Sequence, residues 1–183
     1  SAHVGNYEMG GYTLVAKSKC IYMLVFGQET QTVMENRQEQ FGKTNIRMVP
    51  VGNGMNHLFA INEALTTGQI LSMTADRRFG SEKAVPCNFF GAEALFPMGP
   101  FATVIQRDVP TLVVLVVKTG TRSYHAVVKR LPMPESHLPR KERIALLAQA
   151  YANELENVVR QYPEQWFNFF NIWTTTTCQN PKQ

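Results

Sequence analysis

Two apolar runs limit the folds open to this chain more than any other feature. Residues 20–26 read Cys-Ile-Tyr-Met-Leu-Val-Phe, and residues 111–118 read Thr-Leu-Val-Val-Leu-Val-Val-Lys. The first run is short, continuous and rich in strand-forming residues, which is typical of a strand buried on both faces. The second is the most apolar segment of the chain and also predicts a strand. A sheet with such strands has to be covered by helices.

Helix and strand signals alternate along most of the remaining sequence. Further strands are predicted at Ile46–Val51, Gln69–Ala75 and Ala84–Phe90, with Arg122–Arg130 as the antiparallel partner of residues 111–118. Helices are predicted at Met9–Lys17, Glu29–Phe41, Met55–Leu65, Pro97–Asp108 and Lys141–Gln161. This order predicts an α/β fold, a layered α/β/α domain with a mainly parallel mixed sheet. The 183 residues suit one domain, with residues 140–173 as its C-terminal helical segment.

Composition narrows the class of protein. Hydrophobic residues make up 44% and charged residues 17% of the chain, which is typical of a globular protein. The net charge of +4 suits an anionic substrate or an acidic membrane surface, but it is too small to indicate nucleic acid. Cys20, Cys87 and Cys178 form no Cys-x-x-Cys pair, so neither a disulfide framework nor a zinc site is predicted. A reducing cytoplasm fits best.

Several common catalytic motifs are absent from the sequence. It contains no Gly-x-Ser-x-Gly nucleophile elbow, no Gly-x-x-x-x-Gly-Lys phosphate loop and no His-Glu-x-x-His zinc pair. Cys20 and Cys87 lie in apolar strand patterns and are predicted to be core residues rather than nucleophiles. These absences exclude several classes of hydrolase and nucleotide-binding enzyme.

The chain opens with a histidine and a carboxylate at a spacing that suits general-base chemistry. Residues 3–8 read His-Val-Gly-Asn-Tyr-Glu, so Glu8 can accept one imidazole N–H and leave the other nitrogen of His3 as a base. Taken alone, such a pair is more often at the surface. The loop that carries His3 and the polar loop that begins at Asp76 are both expected beyond the carboxyl ends of strands, where they can meet.

Six short motifs occur in a fixed order along the chain. They are His3-Val-Gly-Asn-Tyr-Glu8, Asn36-Arg37 with Gly42, Asp76-Arg77-Arg78, Asn88-Phe-Phe-Gly91, Phe96-Pro-Met-Gly-Pro100 and Tyr162-Pro-Glu-Gln-Trp166. This series resembles the bacterial lipid A late acyltransferases of the lysophospholipid acyltransferase superfamily. The resemblance covers residues 3–173, and its first and last motifs are the most specific.

The resemblance implies an acyltransferase in which His3 takes the proton of the acceptor hydroxyl. Glu8 would hold the imidazole and stabilise its protonated form, as the carboxylate of a hydrolase triad does. No covalent acyl-enzyme is required, and no metal or cofactor is implied.

The other motifs of the resemblance concern substrate binding. Arg37 would bind a phosphate or the oxyanion, although a charge on a helix surface explains it equally well. Asp76 and Arg77 would shape the acceptor site or bind its phosphates, with a solvated loop as the alternative. Gly99 lies at the predicted start of a helix, where free backbone N–H groups favour an anion such as a phosphate of the substrate, with a packing turn as the alternative.

The resemblance also implies partners and a location. The donor would be acyl carrier protein or acyl-CoA, and the acceptor an anionic glycolipid at the cytoplasmic face of the bacterial inner membrane. Family members have a membrane-anchoring helix and a first strand before the histidine motif, so this chain is expected to be an N-terminally truncated form. The aromatic stretch Trp166–Trp173 is expected either in the core or at the membrane interface.

Three alternative functions fit the same residues. The acceptor could be another membrane lipid, such as a glycerolipid, an aminolipid or a mannosylated lipid. A second alternative is a non-catalytic lipid-binding relative. The third is a hydrolase in which His3 activates water against a thioester.

Overall fold

The fold is α/β, as the sequence predicts. The computed structural model describes residues 1–6, 18–26, 44–52, 54–78 and 82–174. The strands are β1 (Ile21–Phe26), β2 (Ile46–Val51), β3 (Ile70–Ser72), β4 (Ala84–Phe89), β5 (Ala92–Pro97), β6 (Leu112–Lys118) and β7 (Tyr124–Arg130). The helices are α1 (Asn56–Thr66), α2 (Met98–Arg107) and α3 (Arg140–Gln161), followed by a 3₁₀ turn at Pro163–Gln165. The predicted helices Met9–Lys17 and Glu29–Phe41 lie outside the described residues.

The strands form three sheets within the described residues. Strands β2, β1 and β3 pair in parallel in that order, while β4–β5 and β6–β7 are antiparallel pairs. The pairing of β6 with β7 confirms the antiparallel partner predicted for the most apolar run. Within the described residues, the strands that pair in parallel are those of the three-stranded sheet, and Gly5 makes one isolated parallel bridge with Val116 of β6.

Strand β5 was not predicted from the sequence. It follows β4 through a tight turn in which Phe90 and Gly91 both have positive φ, 55° and 79°. This backbone suits a two-residue hairpin, which usually has Asn-Gly at its centre, and Phe-Gly does not give that signal. Gln149 and Glu156 of α3 hold the hairpin by accepting the backbone N–H groups of Asn88 and Phe90.

The main core lies between α3, α2 and the β4–β5 hairpin. Phe89 and Phe96 are fully buried and meet edge to face, with ring centroids 5.5 Å apart. The apolar positions of α3 that its periodicity marks are all buried: Ile144, Leu147, Ala148, Tyr151, Leu155 and Val158. A smaller cluster beneath the parallel sheet contains Tyr22, Val49 and Ala64.

The two cysteines within the described residues differ. Cys87 is buried in β4, as predicted, and burial raises the pKa of its thiol to about 11. Cys20 lies just before β1 and is exposed, so its assignment to the core was wrong.

None of the helices in the described part of the chain has the length and apolarity that a membrane span requires.

Candidate active site

The first six residues form an extended segment that lies between two parts of the fold. On one side, the Ser1 nitrogen donates to the Met73 carbonyl oxygen at 3.0 Å, and the Ala75 N–H donates to the Ser1 carbonyl oxygen at 3.1 Å. On the other side, the Asn6 N–H donates to Val116 of β6 at 2.8 Å. The segment is therefore tied to the residues after β3 and to β6.

The C-terminal motif holds the same segment from a third direction. The Gly5 N–H donates to the Gln165 carbonyl oxygen at 2.7 Å, and the Phe167 N–H donates to the His3 carbonyl oxygen at 2.8 Å. The Gln165 side chain also binds the Lys118 backbone N–H and carbonyl, each at 2.8 Å, as a neighbouring strand would. Hence the Tyr-Pro-Glu-Gln-Trp motif fixes the backbone on which His3 stands.

Gly5 has a backbone and a location that only glycine tolerates. Its φ is +61°, and a Cβ there would overlap the Val116 carbonyl oxygen and lie 2.8 Å from the Val116 carbonyl carbon. Because these neighbours are main-chain atoms, they cannot move aside for a Cβ as a flexible side chain could. The glycine of the opening motif is thus explained by the contact with β6.

Replacing Gly5 by alanine should lower the free energy of unfolding by at least about 2 kcal/mol, because backbone strain and overlap add together. Urea unfolding followed by circular dichroism measures this. Gly68→Ala is the matched control, since Gly68 has a φ of +67° but open space around its Cβ position. That variant should lose about 1 kcal/mol. Equal losses in the two variants would contradict a role for the contact with Val116.

His3 is paired with a buried aspartate. Its Nδ1 lies 2.8 Å from Asp76 Oδ1, and its backbone N–H donates to Asp76 Oδ2 at 2.8 Å. The Trp166 Nε1–H also donates to Oδ2, at 3.3 Å. Asp76 is 2% exposed, whereas the His3 side chain is 24% exposed. The imidazole thus reaches the surface from a buried carboxylate.

The protonation of Asp76 fixes the role of the ring nitrogen that it contacts. Burial acts to raise the pKa of the Asp76 carboxyl, but the hydrogen bonds and charge of His3, together with the Trp166 indole N–H, bring the pKa below its usual value. An ionised carboxylate only accepts hydrogen bonds. Nδ1 of His3 therefore carries the hydrogen and donates it to Asp76, which leaves the basic lone pair on Nε2.

Tyr151 of α3 supports the pair from beneath. Its hydroxyl donates to the Ser1 carbonyl oxygen at 2.8 Å. Burial, and then the charge of Asp76, raise the pKa of the Tyr151 phenol well above its ordinary value. Tyr151 therefore stays protonated and acts as a hydrogen-bond donor, not as a second base.

Comparison with known protein families gives the same result as the motifs. The family model described as bacterial lipid A biosynthesis acyltransferase matches residues 1–175. The chain belongs to that family. Membership makes it an acyltransferase of the lipid A biosynthesis type at the level of the family. A search of curated proteins found no match.

The predicted site residues of this lipid A acyltransferase family member are only partly brought together. His3 and Asp76 are in contact, and Arg77 is tied to the same region, because its Nη2 donates to the Phe167 carbonyl oxygen at 3.0 Å. Gly99 is exposed in the first turn of α2. Glu8 and Arg37 lie outside the described residues, so the roles predicted for them stay predictions.

Two residues of the candidate site carried no site prediction, namely Trp166 and Tyr151. Trp166 belongs to the last of the six motifs. The motif therefore indicated this segment of the chain but not the contact between Trp166 and Asp76. Tyr151 showed only the helical periodicity of a core residue. The expected meeting of the His3 and Asp76 loops is confirmed. The carboxylate placed against Nδ1 of His3 is that of Asp76, which is engaged by the protein instead of facing solvent as a substrate ligand would.

Proposed function

We propose that this chain is an O-acyltransferase that moves a fatty acyl chain from a thioester to a hydroxyl of a lipid A precursor. The observation that carries the proposal is the hydrogen bond between His3 Nδ1 and the buried carboxylate of Asp76. It gives a partly exposed imidazole a fixed ring orientation and a defined tautomer, which a general base requires. Family membership supplies the reaction class.

In the proposed reaction, Nε2 of His3 accepts the proton of the acceptor hydroxyl, and the hydroxyl oxygen attacks the thioester carbonyl carbon. The tetrahedral intermediate then collapses, the carbon–sulfur bond breaks, and the imidazolium returns the proton to the leaving thiolate. The products are an ester and a free thiol. Asp76 holds the ring and faces the positive charge that develops on it. A base of this kind contributes about 10²–10⁴-fold in rate.

The reaction needs no nucleophile from the protein. Cys87 is not suited to act as a nucleophile, because it is buried and burial raises the pKa of its thiol to about 11. Direct attack by the acceptor hydroxyl therefore fits the described residues better than a covalent acyl-enzyme.

The proposed partners follow from charge and from the family. A net charge of +4 suits an acidic acyl carrier protein as donor, with acyl-CoA as the other thioester source. It also suits an anionic glycolipid at the cytoplasmic face of the inner membrane. Among the described cations, Arg77 suits anion binding, because it follows Asp76 in the chain and donates to the carbonyl oxygen of Phe167, whose N–H donates to His3. Arg37 and Glu8 lie outside the described residues, so the roles predicted for them in anion binding and beside His3 stay predictions.

An acceptor panel tests the proposal. The whole protein is incubated with an acyl thioester labelled in the acyl chain, together with a lipid A precursor, a glycerolipid, an aminolipid or a mannosylated lipid. Labelled ester should form on the lipid A precursor at least about tenfold faster than on the other lipids, which corresponds to a difference of about 1.4 kcal/mol in transition-state binding. Products are separated and identified by mass spectrometry.

Each contrary result points to one alternative. A preference for another lipid would keep the chemistry and replace the acceptor. Release of labelled fatty acid in the absence of any acceptor would indicate a thioester hydrolase. Binding of the lipid without any turnover would indicate a non-catalytic relative.

A further inference from the structure

The aromatic stretch near the end of the chain divides into residues that face inward and residues that face outward. Trp166 and Trp173 face inward, since their indole N–H groups donate to Asp76 Oδ2 at 3.3 Å and to the Phe89 carbonyl oxygen at 3.1 Å. The three phenylalanines between them are exposed to 46%, 86% and 54%, in the order Phe167, Phe169, Phe170. Core packing therefore explains the tryptophans and leaves the phenylalanines unexplained.

The outward phenylalanines stand on a defined loop. The Phe170 N–H donates to the Asn168 side-chain oxygen at 3.3 Å, and the Trp173 N–H donates to that of Asn171 at 3.2 Å. At its start, the loop is fixed by the bond from the Phe167 N–H to the His3 carbonyl oxygen. The loop is thus built onto the site, and it begins beside His3.

Two arginines accompany the exposed rings. The Arg77 guanidinium carbon lies 4.5 Å from the centre of the Phe170 ring, and Arg78 is exposed beside it in the chain. We call Phe167, Phe169, Phe170, Arg77 and Arg78 the aromatic lip. Rings that enter the apolar region and guanidinium groups that remain at the level of the headgroups are the combination that suits an anionic lipid surface.

We propose that the aromatic lip inserts into the surface of an anionic bilayer and so places His3 at the level of the lipid headgroups. Three exposed aromatic side chains within four residues form a larger apolar projection than scattered surface residues do. Their arginines supply the charge complementary to acidic headgroups. The inference rests on the proposed function in one respect, that the acceptor is held in a membrane. Insertion itself requires no turnover and is measured separately from it.

Fluorescence at the tip of the lip tests the insertion. Phe169→Trp is added to vesicles of brominated phosphatidylcholine and phosphatidylglycerol, with the emission of the unsubstituted protein subtracted. The added emission should be quenched and shifted to shorter wavelength, because bromine lies in the acyl chains. Phe59→Trp is the matched control, since Phe59 of α1 is 68% exposed in the free protein. It should show no quenching. Equal quenching at both positions, or none at position 169, would overturn the proposal.

The charged part of the lip has its own test. Arg78→Gln in the Phe169→Trp background should weaken partitioning into phosphatidylglycerol vesicles about fivefold, as expected for one basic residue at an anionic surface. Arg130→Gln, at an exposed arginine of β7, should leave it unchanged. Equal effects of the two changes would contradict the assignment of the cations.

Two further outcomes separate this inference from the proposed function and from a protein partner. His3→Gln in the Phe169→Trp background should be quenched as strongly as Phe169→Trp alone, even though it removes the proposed base. If acyl carrier protein alone shifts the emission at position 169 while vesicles do not, the partner is a protein and the membrane proposal is overturned.

Discussion

Replacing His3 by alanine should reduce acyl transfer about 10²–10⁴-fold or more, the contribution expected of a general base. The loss should appear in kcat at saturating donor and acceptor, since His3 is proposed to act on the proton and not on substrate binding. The assay is transfer of labelled acyl chains to the lipid A precursor. Retention of more than about a tenth of the wild-type rate would contradict the assignment of His3 as the base.

The alanine variant also removes a hydrogen bond from a buried carboxylate, which costs about 1–3 kcal/mol of folding free energy. His3→Gln separates the two effects, because an amide N–H can still donate to Asp76 although the side chain is not basic. It should be inactive with a thermal unfolding temperature closer to that of the wild type. His137→Ala is the matched control, since that histidine side chain is 71% exposed in the loop before α3 and should leave transfer unchanged.

Replacing Asp76 by asparagine should lower kcat by about 10²–10⁴-fold while the KM for donor and acceptor stays within about threefold. Asp76 accepts from the His3 Nδ1–H, the His3 backbone N–H and the Trp166 indole N–H. Asparagine has one acceptor oxygen and an NH₂ group. Its NH₂ group would therefore either face one of these N–H donors or favour the His3 tautomer that carries hydrogen on Nε2 in place of Nδ1. A rise in KM with unchanged kcat would instead support the sequence-based expectation that Asp76 binds the acceptor.

The pH dependence of the free energy of unfolding tests Asp76→Asn independently of the activity assay. Because folding lowers the pKa of Asp76, its ionisation stabilises the folded protein above the unfolded pKa of about 4. That contribution is lost as the pH falls through the folded value. Urea unfolding should therefore become less dependent on pH in the acid range for Asp76→Asn. The control Asp108→Asn, at a side chain 79% exposed, should behave as the wild type does.

The sequence predicted those parts of the fold that depend on local pattern. The 3.6-residue periodicity of α3 identified its buried side, because a long amphipathic helix shows its packing face directly. The apolar run at β6 and the return strand β7 were likewise predicted and found. Strand β5 was missed because its turn, Phe90-Gly91, has an uncommon composition for a hairpin, and the exposure of Cys20 was missed because the run that contains it is otherwise apolar.

The sequence predicted residues of the candidate site better than it predicted the contacts between them. Local spacing indicated Glu8 as the carboxylate for His3, and that prediction concerns a residue outside the described part of the chain. It did not indicate the contact of Nδ1 with Asp76, from the loop after β3. That the His3 and Asp76 loops meet followed from the rule for the carboxyl ends of parallel strands. The burial of Asp76 was not predictable, because it depends on Trp166 and on α3, which come together with it only in the folded chain.

The segment that carries His3 has no regular secondary structure of its own, and its backbone hydrogen bonds go to Met73, Val116, Gln165 and Phe167. Gln165 and Phe167 belong to one C-terminal segment, and Met73 and Val116 belong to two other parts of the chain, so His3 takes up its position only after distant parts have docked. The position of His3 consequently depends on the cooperative folding of these parts of the chain. Amide hydrogens of Gly5 and Asn6 should exchange with solvent only in openings that also disengage β6 or the C-terminal motif, and catalytic competence should disappear together with global order, not ahead of it.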